Sequence, residues 1–96
     1  MRPQEVLEMF SVDMKQRGTR LLLHLVYQLA IGRGMSEVVM EMVRDEKLPR
    51  PALYRMMRIE AAPLLMAGPE TLEAVGLPPL RKGTVTELAR NLARLC

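Results

Sequence analysis

Residues 35–60, MSEVVMEMVRDEKLPRPALYRMMRIE, decide the fold. They read as two short helices separated by a tight charged corner and a proline-bracketed restart. Ser36 suits an N-cap because its hydroxyl accepts from free N–H groups of the first turn. Glu37 then sits where the helix dipole favours negative charge. Met35 and Met40 flank that cap at the spacing of a hydrophobic staple. Val39, Met42 and Val43 continue at helical spacing as one apolar stripe. The chain turns through Arg44-Asp45-Glu46-Lys47 and restarts at Leu48-Pro49-Arg50-Pro51. Each proline disfavours helix in the residue before it, and Pro51 fits the first turn of a new helix. Leu53, Met56 and Met57 claim the inner side of that helix, so Arg50, Tyr54, Arg55 and Arg58 are expected to face outwards.

The run Leu48-Pro49-Arg50-Pro51-Ala52-Leu53-Tyr54-Arg55 resembles the start of the recognition helix in helix-turn-helix DNA-binding domains. The likeness spans residues 39–58. Val43 stands where that family usually has alanine, and Pro49 replaces the usual Ser or Thr cap. Lys47 takes the place of the turn glycine and would have to tolerate a strained backbone. The resemblance implies a helix-turn-helix over residues 36–60. Its DNA-binding residues would be Lys47, Arg50, Tyr54, Arg55 and Arg58, and DNA would be the partner of a small transcriptional regulator.

Outward from this stretch, composition bounds the rest. Ninety-six residues make one domain, and 49% hydrophobic content is ample for its core. Phe10, Tyr27 and Tyr54 are the only aromatic residues, so that core is aliphatic, with nine methionines to fill irregular gaps. The net charge of +3, carried by eleven Arg and three Lys, permits binding to phosphate or to an acidic partner. The arginine preference suits planar, bidentate contacts. A single cysteine, Cys96, forms no internal disulfide, which points to a reducing compartment and a cytoplasmic protein. One His and one Cys make no zinc site. Carboxylates are scattered singly and no glycine-rich phosphate loop occurs, so neither an enzyme nor a cofactor is expected.

Residues 3–17 read as an amphipathic helix with Val6, Met9, Phe10 and Met14 on one face, ended or bent by Gly18. Thr19 suits the cap of the next helix, Arg20 to Ile31, which is the most apolar in the chain. At about a dozen residues it is shorter than the roughly twenty that a bilayer needs. Acidic residues upstream and the missing small-residue cleavage site argue against a signal peptide. It is expected to be the central core helix, with His24, Tyr27 and Gln28 forming a polar stripe. That stripe is a binding groove, an interface or a partly exposed edge. Gly32-Arg33-Gly34 makes a corner. Past Glu60, Ala61-Ala62-Pro63 interrupts or restarts the helix. A short helix then begins near Pro69, with Leu72 and Val75 inside and Gly76 as its C-terminal cap. Thr84 and Glu87 form a capping box for the last helix. Val85, Leu88, Leu92 and Leu95 follow on one side of it, and Arg90 and Arg94 on the other.

Residues 71–95 also resemble the closing part of a sterile alpha motif domain, an all-α module that mostly mediates protein association. That resemblance implies an adaptor or anti-activator that binds another protein. The expectation is therefore an all-α, compact bundle of five or six short helices over residues 1–96. It would be a DNA-binding regulator, with the protein-interaction module as the rival. No membrane partner is expected. Reading DNA through one short helix calls for a homodimer, with the first or last helix as the apolar seam.

Overall fold

The apolar run LLLHLV becomes the axis around which the rest packs. A computed structural model describes residues 1–96 and contains six helices and no strand. In chain order these are α1 (Pro3–Met9), α2 (Arg17–Ala30), α3 (Met35–Glu46), α4 (Arg50–Leu65), α5 (Pro69–Ala74) and α6 (Val85–Ala93). α2 is central and packs on α4, α6, α3 and α1. Its Leu22, Leu25 and Val26 have no exposed surface, and Val38, Leu53, Met57, Ala61, Leu64 and Leu88 close around them with none either. Each such large aliphatic side chain contributes about 1.5–3 kcal/mol by leaving water. No aromatic ring lies within that core; Phe10 and Tyr54 pack against it from the edge.

The first helix is shorter than its amphipathic pattern suggests. It stops at Met9, because Ser11 takes a left-handed conformation (φ 59°). The Ser11 N–H donates to the Glu8 carbonyl at 2.9 Å and the Val12 N–H to the Leu7 carbonyl at 3.1 Å. This is a Schellman closure with serine where glycine is usual. It folds Val12 into the core over Leu7. The chain then makes a second turn at Asp13, whose carboxylate accepts from the Lys15 N–H at 2.9 Å and the Gln16 amide at 3.2 Å. Those bonds, the first above all, hold the Asp13 carboxyl below its ordinary pKa.

Gly18 and Thr19 therefore do not separate two helices but lie inside α2. The Thr19 hydroxyl is fully buried and donates back to the Asp13 carbonyl at 2.7 Å, stapling the turn to the helix instead of capping it. Gly18 sits at a close approach of α2 to α4. A Cβ there would lie 2.2 Å from the Met56 carbonyl oxygen.

α3 begins two residues earlier than a Ser36 cap predicts, with extended Gly34 as N-cap and no side-chain capping bond. The staple is not made, because Met40 faces solvent while Val38 and Val39 turn inwards. Arg33 supplies the anchor in its place, pairing with Glu37 at 3.0 Å and with Glu41, and reaching the Gln28 amide oxygen at 2.8 Å. The hydrogen bond from Arg33 holds the Glu41 carboxyl below its ordinary value.

α4 also runs beyond its expected end, through Pro63 to Leu65. Pro63 falls in the last turn on the exposed side, where its missing N–H removes one helical bond without breaking the fold. The α5 cap is as the sequence predicts. Gly76 is left-handed (φ 84°), and the Leu77 N–H reaches the Leu72 carbonyl at 2.9 Å. Leu72, Val75 and Leu77 are all buried beneath it.

Candidate nucleic-acid interface

α3 and α4 are joined by three residues, Lys47, Leu48 and Pro49. The corner is tighter than expected, since Arg44, Asp45 and Glu46 remain helical and only Lys47 leaves the helix. Lys47 is left-handed (φ 56°, ψ 39°), a conformation that costs an L-residue roughly 1–2 kcal/mol. Leu48 is half-buried against the core and fixes the exit of the chain. Pro49 is the extended N-cap of α4, its carbonyl accepting from the Ala52 and Leu53 N–H groups at 3.0 and 3.2 Å. Pro51 occupies the first turn, as its fixed φ favours.

Leu53 and Met57 are fully buried, and Met56 is half-buried at the edge. This orientation leaves Lys47, Arg50, Arg55 and Arg58 exposed. Tyr54 departs from the sequence expectation, because it is half-buried and packs against the core. At about 1.5 Å rise per residue, Arg50 and Arg58 are about 12 Å apart along the axis, with Arg55 about 60° round the helix from Arg58.

Charge pairing shapes this surface. The protein has four ion pairs, and none involves Lys47, Arg50, Arg55 or Arg58. Two of the three nearby carboxylates are engaged elsewhere, and the third, Glu60, makes no ion pair. Glu46 is bound by Arg17 of α2 at 2.7 Å, and Asp45 by Arg44 at 3.1 Å. Glu60 is half-buried beside Gly18. The four cations thus project without a neutralising partner.

The polar stripe on α2 is divided between two places. His24 borders a hollow with Arg17, Arg20 and Glu46, while Tyr27 borders a separate apolar hollow with Ile31 and Leu95. No three His, Cys, Asp or Glu side chains converge in the geometry of a metal site. No helix is long and apolar enough to cross a membrane.

A second basic cluster lies on α6 and the loop before it. Its sequence signal is slight: Arg90 and Arg94 are four residues apart and share a helix face. Arg81 joins them from the loop, around a hollow of about 370 Å³. The Thr84 hydroxyl caps α6 by accepting from the Glu87 N–H at 3.1 Å. The reciprocal half of the expected capping box is displaced. Glu87 reaches past Thr84 to accept from the backbone N–H groups of Arg81 (2.7 Å), Lys82 (2.8 Å) and Gly83 (3.1 Å). These bonds, led by that from Arg81, hold the Glu87 carboxyl below its ordinary pKa.

Comparison with protein-family models, with curated proteins and with solved structures gives no match to this chain.

Proposed function

We propose that this protein is a small DNA-binding transcriptional regulator that reads duplex DNA with α3, the Lys47–Pro49 turn and α4. The observation that carries this reading is the set of unpaired cations Lys47, Arg50, Arg55 and Arg58 on the turn and outer side of α4, beside two carboxylates held elsewhere. The span of about 12 Å from Arg50 to Arg58 follows from helical rise, and it is comparable with a B-DNA major groove about 12 Å wide. Lys47 is placed to hold a phosphate, and the arginines to grip phosphates or the O6 and N7 acceptors of guanine. Tyr54, being half-buried, serves to position the helix more than to touch DNA. One such helix offers too little surface for tight specific binding, so a two-fold dimer is expected. Tyr27 and Ile31, 40% and 73% exposed beside Leu95, offer it an apolar seam.

A gel shift on bulk duplex DNA across a salt series tests this. Arg55→Ala with Arg58→Ala should weaken binding and flatten the log–log salt slope by about one for each lost phosphate contact. Leu53→Ala is the folding control and should cost about 2–5 kcal/mol of stability. If the parent does not bind at low salt, or the double variant binds equally well, the DNA reading is wrong.

The rival reading is a protein-interaction module. It is favoured by exposed apolar residues on α4 and at its C-cap, Ile59 at 61% and Met66 at 85% exposure. Ile59→Ser and Met66→Ser would leave salt-dependent DNA binding intact under the first reading. Under the second they would remove association with a protein partner.

A further inference from the structure

The hollow between α6 and the loop before it carries its own chemistry. Arg81, Arg90 and Arg94 border it, and none of the three is in an ion pair. The only carboxylate in its wall, Glu87, has its oxygens occupied by three loop N–H groups. Three guanidinium charges therefore meet one carboxylate that is already bonded. Keeping like charges together is unfavourable, and nothing in the packing of α6 requires it.

The fourth feature is Asn91, the only asparagine of the chain. It is 8% exposed, borders the same hollow, and its side-chain amide makes no hydrogen bond within the protein. No buried side-chain nitrogen or oxygen in the protein lacks a partner, so the polar end of Asn91 is open to solvent at the hollow while the rest of the residue is packed into α6. Its NH₂ group is a neutral donor set among cationic forks, a combination suited to a tetrahedral oxyanion. Arginine forks supply paired, charge-assisted donors to phosphate oxygens. The volume of about 370 Å³ admits a phosphate together with several waters, at about 30 Å³ per water. The Glu87 clasp on the loop fixes the backbone that carries Arg81, so part of the ordering is complete before a ligand arrives.

We infer that Arg81, Arg90, Arg94 and Asn91 form a binding site for a phosphate group, separate from the cations of α4. The phosphate belongs either to a small phosphomonoester or to a nucleic-acid backbone; the recognition chemistry is the same for both. The site does not depend on the DNA reading of α4.

The test follows the side-chain NH₂ signals of Asn91 by NMR in the ¹⁵N-labelled full chain. Inorganic phosphate is titrated at constant ionic strength, with chloride as the exchanged anion. The Asn91 signals should move along a saturating curve. Arg81→Ala with Arg94→Ala should weaken that response at least about tenfold, the equivalent of losing one charge-assisted hydrogen bond. Both residues are exposed, and neither side chain bonds within the fold. Asn91→Asp, nearly isosteric, should abolish phosphate binding as judged by the backbone signals of α6. Arg55→Ala with Arg58→Ala should leave the Asn91 response unchanged, which separates this site from α4. A duplex oligonucleotide that moves the same signals and competes with phosphate identifies the backbone as the source. A duplex without effect identifies a small phosphate compound. A non-saturating shift, or an equal response in the Arg81/Arg94 variant, overturns the site.

Discussion

Replacing Gly18 by alanine sets two effects of opposite sign against each other. Gly18 lies within α2, and alanine is the better helix former by about 0.8–1.0 kcal/mol. Local propensity alone therefore predicts stabilisation. Tertiary packing predicts the reverse. The new Cβ would lie 2.2 Å from the Met56 carbonyl oxygen, 2.8 Å from its carbonyl carbon and 2.9 Å from Glu60 Cγ. The Glu60 side chain can swing away, but the carbonyl belongs to the mid-helix backbone of α4. Reaching even 3.0 Å from that oxygen means opening the α2–α4 seam by 0.8 Å, from 2.2 to 3.0 Å. That seam lies along the fully buried core. Overpacking of this kind costs about 1–3 kcal/mol, and more where backbone must move. Because the contact is with backbone, the upper part of that range, about 2–3 kcal/mol, applies, and after the propensity gain a net loss of about 1–2 kcal/mol remains. For a domain of this size that lowers Tm by roughly 4–16 °C. Urea unfolding followed by circular dichroism reads it directly, with an unchanged m-value showing that the denatured state is unaffected. Arg55 and Arg58 flank Met56, so the displacement would also disturb the proposed DNA-binding face. If Gly18→Ala equals or exceeds the parent in stability, the close approach of α2 to α4 is wrong.

Lys47→Gly should relieve the left-handed backbone at the α3–α4 turn and raise stability by about 0.5–1 kcal/mol, after the entropic cost of glycine itself. Under the proposed DNA reading it should weaken binding by one phosphate contact at the same time, so the urea midpoint and the gel shift move in opposite senses. A lower midpoint would contradict the turn geometry. Glu87→Gln tests the loop clasp. The Glu87 carboxyl is held below its ordinary pKa, chiefly by the Arg81 N–H. Its stabilisation is therefore complete above the usual glutamate range and is lost as pH falls through the depressed value. The variant should be less stable at neutral pH and should lose less on acidification, as read from Tm against pH. Asp13 and Glu41 are depressed in the same direction, so part of the acid sensitivity should persist. A parallel pH profile for parent and variant would show that Glu87 contributes nothing.

Much of this fold was legible because its cues act within one turn of chain. Gly76 closing α5, Pro51 and Pro69 entering their helices, and Thr84 capping α6 depend only on nearest-neighbour backbone geometry. Apolar spacing marked Leu53 and Met57, or Leu88 and Leu92, as buried before any partner was known. The same spacing left Arg50, Arg55 and Arg58 outside. Other outcomes were decided at a distance. α1 ends at Met9 because burying Val12 over Leu7 favours a left-handed Ser11. α3 keeps its last turn while Arg17 of α2 clasps Glu46. Thr19 looked like a cap until its hydroxyl met the Asp13 carbonyl, and Tyr54 looked exposed until its ring met the core edge. Gly18 read as a breaker, whereas its missing side chain is what lets α4 approach. The hollow of Arg81, Arg90, Arg94 and Asn91 falls within the single stretch 78–94, but the cluster exists only once the loop carrying Arg81 folds back beside α6. Local cues fix where a helix can start or stop; which cue wins depends on burial and charge pairing with residues far along the chain, and those exist only once the helices have packed.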